Sequence, residues 1–235
     1  MMDAAPALKT PRPLFRLLLL LSGTTGMLDA ASILCLGKVF TANMTGNVVF
    51  LGFAAAGAKG FAPGPFLIAL IAFVIGAMLA GRLWRRPGPQ LLRNWLILVA
   101  AIETVLLLLA GLAAYGTTAI EAGLCWRLPA ILALTAGAMG FRNAIVRQLK
   151  VPDLTTTVLT LTITGIAADS HLAAGSAPNF AVRISAVAMI FGGALAGALL
   201  VIHTGLSATL LITGGVVFLG TALFAAHPQM ADIKR

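Results

Sequence analysis

Apolar runs long enough for a bilayer follow one another along this chain and constrain it more than any other feature. Eight can be marked: Leu14 to Leu36, Thr41 to Ala58, Pro65 to Leu83, Trp95 to Ala114, Leu128 to Leu149, Thr155 to Ala168, Val182 to His203 and Leu206 to Ala226. None alternates apolar with polar at period two, so an outer-membrane barrel is excluded and an all-α polytopic membrane protein is expected. With 60% hydrophobic and 10% charged residues and a mean hydropathy of +1.01, the chain lacks the charged share of about 25% that a soluble globule carries. Aromatic residues reach only 7% against 25 glycines, which favours helices packed closely through small residues and would permit a homodimer.

The net charge of +9 does not point to nucleic acid. Its basic residues sit at the ends of apolar runs and form no polar domain with stacking aromatics. They orient the chain instead. If all eight runs cross, the Lys and Arg residues divide evenly between the two sides. If the second and sixth runs enter and leave on one side, only Lys38, Lys59 and Arg127 remain outside, as the positive-inside rule expects. The expectation is therefore six crossing helices plus two short re-entrant or broken segments, with both termini cytoplasmic. One transmembrane domain spans 14–226, between an N-terminal tail at 1–13 and a C-terminal tail at 227–235. The first run continues past Gly23 and Asp29 without a cleavage site and reads as a retained membrane helix.

A faint internal repeat fits the same arrangement. Gly26-Met-Leu-Asp-Ala30 aligns with Gly140-Phe-Arg-Asn-Ala144, and Gly76-Ala-Met-Leu-Ala-Gly81 aligns with Gly192-Gly-Ala-Leu-Ala-Gly197. Between them lie two helix starts rich in capping residues, Thr41-Ala-Asn-Met-Thr-Gly-Asn47 and Pro152-Asp-Leu-Thr-Thr-Thr157. Halves at 14–115 and 124–226, with three crossings each, would be inverted relative to one another. Many secondary transporters are built this way, with broken helices meeting near the midplane at the substrate site.

The candidate site residues are the polar groups set inside apolar runs. Asp29 lies about 20 Å along the first helix from Arg16; an ionisable group at that depth is by default a functional-site hypothesis, here for proton or cation coupling. Its structural alternative is pairing with Lys38 or capping the Thr-rich segment. Asn43, Thr45, Gly46 and Asn47 gather at a helix N-terminus, where backbone N–H groups and the positive dipole end favour an anionic or polar solute. The competing account is capping and interhelical hydrogen bonding. Asn143, Thr155 and Thr156 are their counterparts in the second half. Glu103 is either a second proton site or the partner of an Arg such as Arg142. Arg82, Arg85, Arg86 and Arg93 set topology and touch lipid phosphate. Cys35 and Cys125 read as small packing residues. His171, His203 and His227 have no companion at ligand spacing, and no nucleophile with a base is present, so neither metal, cofactor nor enzymatic activity is expected.

Gly26-Met-Leu-Asp-Ala30, the run Ala42-Asn-Met-Thr-Gly-Asn47 and Gly76-Ala-Met-Leu-Ala-Gly81 together resemble the YoaK family of bacterial membrane proteins, over nearly the whole chain. The resemblance implies a multi-pass protein of the bacterial inner membrane, from a family without an assigned activity. Asp29, Asn43, Met44, Thr45, Gly46 and Asn47 match its motif. The expected function is a secondary transporter or permease for a small polar or anionic solute, proton-coupled through Asp29, with the lipid bilayer as its other partner. The alternatives are a scaffold or regulator that moves nothing, and a passive channel.

Overall fold

A computed structural model describes residues 12–87, 91–116, 127–149, 159–176, 179–230 and 233. These residues form α1 (Arg12–Cys35), α2 (Met44–Ala55), α3 (Pro63–Arg85), α4 (Leu92–Ala113), α5 (Arg127–Gln148), α6 (Leu159–Ala168) and α7 (Phe180–Ala225), with short 3-10 turns at His171–Ala173 and Pro228–Met230. Local signals account for the boundaries. Gly37 and Lys38 take left-handed backbone after α1, at φ 80° and 64°, the conformation that commonly ends a helix. Pro63 opens α3, where its missing N–H costs nothing.

Five of these helices, α1, α3, α4, α5 and α7, are long and apolar enough to cross a membrane. The chain is a polytopic all-α membrane protein. The short helices contain 12 and 10 residues, about 18 and 15 Å at 1.5 Å per residue, well under a hydrocarbon core of about 30 Å. At 46 residues, α7 is broken by one non-helical residue, Gly205, with φ 83° and ψ 174°. Limbs 180–204 and 206–225 run in opposite directions: Val201 shares one apolar cluster with Leu206 and Leu210, while Val182 and Ala186 share another with Val217 and Phe224.

Those two clusters stack along the long axis and fix the direction of each helix. The first joins Leu14, Leu17 and Leu18 of α1 with Ala80 of α3, Trp95 of α4 and Ile145 of α5; the second joins Leu28 and Ala31 with Phe66, Leu107 and Ile131. Thus α1, α4 and limb 180–204 run one way, and α3, α5 and limb 206–225 run the other. Glycines set the closest crossings. A Cβ on Gly193 or Gly26 would collide with the backbone of the facing helix at Gly23 or Ile190, and one on Gly76 or Gly140 with Gly137 or Phe73. The segments aligned as repeat mates therefore lie at the two tightest crossings, α1 on limb 180–204 and α3 on α5.

Charge is segregated by the same axis. Arg12, Arg16, Arg82, Arg85, Arg86, Arg93, Arg147 and Arg183 lie toward the first cluster, with Trp84 edge-on to Trp95 at 5.6 Å. Lys38, Lys59 and Arg127 lie toward the second. We refer to these as the arginine-rich and lysine ends. Near the end of the chain, Met230 is buried against the start of α1, and the Leu92 N–H donates to the Ile233 carbonyl at 2.8 Å. Cys35 is a free thiol; Cys125 and the segment Pro152 to Thr157 lie outside the described residues.

Candidate functional site: a loop clamp and a buried ion pair

Asp29, in the last two turns of α1, holds the loop that leads into α2. Its Oδ1 accepts the backbone N–H groups of Thr41 at 3.0 Å and Ala42 at 2.9 Å, and faces the Thr41 hydroxyl at 3.4 Å. Three residues on, the Ser32 hydroxyl donates to the Val39 carbonyl at 2.7 Å. From the other side, Asn47, fully buried in the first turns of α2, closes a two-way clamp. Its Oδ1 accepts the Phe40 N–H at 2.9 Å and its Nδ2 donates to the Phe40 carbonyl at 2.6 Å. An irregular segment inside apolar surroundings must have its backbone groups satisfied; here the conspicuous polar side chains do that.

The remaining motif residues point elsewhere. Asn43 is the residue before α2, exposed, with no side-chain capping bond; Thr45 is also exposed. A Cβ on Gly46 would strike the Phe40 ring, so glycine there lets Phe40 join the ring cluster of Phe50, Phe53, Phe61 and Phe66. Lys38 does not pair with Asp29; its ammonium lies 5.4 Å above the Phe61 ring. The proposed solute contacts thus divide: Asp29 and Asn47 bind the chain's own backbone, and Asn43 and Thr45 face outward. Asn143 lies on α5 beside a crevice at the arginine-rich end. Thr155 and Thr156 fall outside the described residues.

The second constellation lies between α1, α4 and α5. Glu103, near the middle of α4, and Arg142, on α5, form an ion pair with side chains 2% and 1% exposed. The second terminal guanidinium nitrogen, Nη1, directs its two protons at three acceptors, Thr24 Oγ1 at 3.0 Å, Thr25 Oγ1 at 3.1 Å and the Leu21 carbonyl at 3.1 Å, all on α1. Both Thr hydroxyls donate their own protons to that carbonyl, leaving their lone pairs to the cation. Three helices are thereby joined through one guanidinium. A cavity of about 20 Å³ adjoins Glu103 and Arg142 on the side of Leu17, Leu96 and Leu149, room for a single water. Sequence reasoning anticipated Arg142 as a partner for Glu103 but missed Thr24 and Thr25. Their signal was present: two hydroxyls between Gly23 and Gly26 in an otherwise apolar run.

A polytopic helical membrane protein with a polar loop clamp and a buried ion pair is the class these features define. The chain belongs to the family described as a protein of unknown function, DUF1275, whose model matches residues 17–224. It is 29% identical over 153 residues to the UPF0700 transmembrane protein YoaK of Bacillus subtilis (strain 168), a match covering 65% of this chain and 65% of that protein. No solved structure matches.

Proposed function

We propose that this protein is a secondary transporter of the bacterial inner membrane, moving a small polar or anionic solute, with the arginine-rich end cytoplasmic. The observation that carries the reading is the Glu103–Arg142 pair. Taking two charges into the middle of a membrane costs several kcal/mol per ion, about what good geometry returns, and intramembrane ionisable groups mark solute and proton paths by default. Arg142 is the group an anion would compete for, and Glu103 the group whose protonation would release it. Taken in order, α1, α3 and α4 run opposite to α5, limb 180–204 and limb 206–225, and this, with a short helix in each half, supports an inverted repeat of the transporter kind. Asp29 then holds the loop before α2 at the mouth of the path, and its neutralisation would free that loop as a coupling step. No catalytic role is assigned to either site.

One observation favours the scaffold reading: Asp29 and Asn47 have partners within the chain, as interhelical glue would. The deciding experiment is a thermal-stability screen of purified protein against small carboxylates, phosphates, sulfate and polar metabolites, followed by uptake of any stabilising compound into proteoliposomes with and without a pH gradient. Transport predicts uptake by wild type that falls at least tenfold in Glu103→Gln. Uptake indifferent to the gradient would identify a channel. Stabilisation by no compound, with Glu103→Gln merely less stable, would favour the scaffold.

A further inference from the structure

The crevice between α3 and α5 is independent of the ion pair. The two helices cross at Gly76, Gly137 and Gly140, where a side chain on Gly76 or Gly140 would meet backbone, and splay apart toward the arginine-rich end. The space between them is about 790 Å³, within the range of small-molecule sites. Its inner part is apolar, with Phe73, Val74 and Met78. Its mouth carries Arg82 and Arg85 from the last turn of α3 and Arg147 from the last turn of α5. Val74 and Met78 are also exposed on the outer surface of α3, so the crevice opens sideways toward lipid rather than into the core.

Charge at this mouth is one-sided. Among the described residues, the carboxylates are engaged elsewhere: Glu103 with Arg142, Asp169 with Arg183 and Asp29 with the 41–42 amides. No described carboxylate forms an ion pair with Arg82, Arg85 or Arg147. A favourable interaction with the negative ends of helices α3 and α5 explains single basic residues in a last turn; it does not explain three guanidiniums sharing one amphipathic cleft. Arginine is the side chain suited to phosphate, through its planar fork of donors, and basic pockets between helices on the cytoplasmic side take anionic headgroups.

We propose that the α3–α5 crevice binds one anionic phospholipid, its phosphate held by Arg82, Arg85 and Arg147 and an acyl chain laid along Phe73, Val74 and Met78. The occupant needs both parts, a phosphate at the mouth and a hydrocarbon chain within; a soluble anion would use the mouth alone.

The test is thermal unfolding of the full chain in a mild detergent with phosphatidylglycerol, with phosphatidylcholine, or with inorganic phosphate. Phosphatidylglycerol is expected to raise the Tm of wild type more than phosphatidylcholine does. Arg82→Gln/Arg85→Gln/Arg147→Gln should lose at least half of that difference, while Arg16→Gln/Arg93→Gln, at the same end but outside the crevice, should keep it. An equal difference in the triple variant overturns the proposal, as does equal stabilisation by both lipids. An arginine-dependent shift reproduced by inorganic phosphate would also overturn it, assigning the mouth to free anions. Should the triple variant not fold, native mass spectrometry of wild type and Arg147→Gln reads the same quantity: one phosphatidylglycerol retained by the former and depleted in the latter supports the site, and equal retention rejects it.

Discussion

Single atoms separate the roles of Asp29. All three of its contacts converge on Oδ1, an acceptor that asparagine retains, whereas alanine leaves two backbone donors without a partner. Asp29→Ala should therefore destabilise by about 2 kcal/mol and Asp29→Asn by under about 1 kcal/mol, measured by thermal unfolding in detergent. If the carboxylate's charge is used in transport, Asp29→Asn will be well folded yet inactive. The ion pair obeys a different rule. Arg142→Met strands Glu103 in the core and should cost about 3–5 kcal/mol, while adding Glu103→Leu recovers much of the loss; two additive losses in the double variant would mean the groups act separately. That Asp29, Asn47 and Glu103 would need partners was legible from the sequence, because polar groups in apolar runs are expensive. What each one touches was only partly so. Arg142 was foreseeable as a partner because charges inside the runs are scarce, but Asn47 bonds both polar groups of a single residue, Phe40, and no spacing rule encodes a side chain turned back onto its own preceding loop.

Helix packing makes sharp contrasts between adjacent positions. Gly193 lies against the backbone of Gly23, which cannot move aside as a side chain could, whereas Gly192 has open space beside it. Gly193→Ala should cost about 1–3 kcal/mol, roughly 2–4 °C of Tm per kcal/mol in a domain of this size. Gly192→Ala should leave the Tm unchanged or slightly raise it. Gly205→Ala meets no neighbour, yet φ 83° with ψ 174° is a backbone region essentially confined to glycine, so a loss of about 1–3 kcal/mol is expected there too. The helices themselves were largely readable: the apolar runs fall within a few residues of α1, α3, α4 and α5, and the boundary between His203 and Leu206 is the break in α7. The glycine contacts were readable only as a general tendency, since composition says that small residues pack closely but not which of Gly192 and Gly193 faces α1.

For the molecule as a whole, the excess of basic residues at the arginine-rich end is expected to set which way it sits. Reporter fusions should place a fusion after Lys59 outside and one after His171 inside, because the first lies at the lysine end and the second beside Asp169 and Arg183 at the other. The same side for both would refute the orientation. Run length made the long helices legible, and charge supplies the orientation that the fusions test, whereas the sideways opening between α3 and α5 depends on how two helices splay, which no one-dimensional pattern contains.

The turn at Gly205 bears on how such a chain is made. Limbs 180–204 and 206–225 are joined by a single non-helical residue, so no hydrophilic loop separates them to be carried across the bilayer. A limb of 25 residues threaded alone through the insertion machinery would have no polar segment at its far end to stop against. The two limbs are therefore expected to enter the bilayer as a pair, and their close contacts to α1, Gly193 with Gly23 and Gly220 with Leu20, and to α4, Gly214 with Thr104, draw each of them toward helices already inserted.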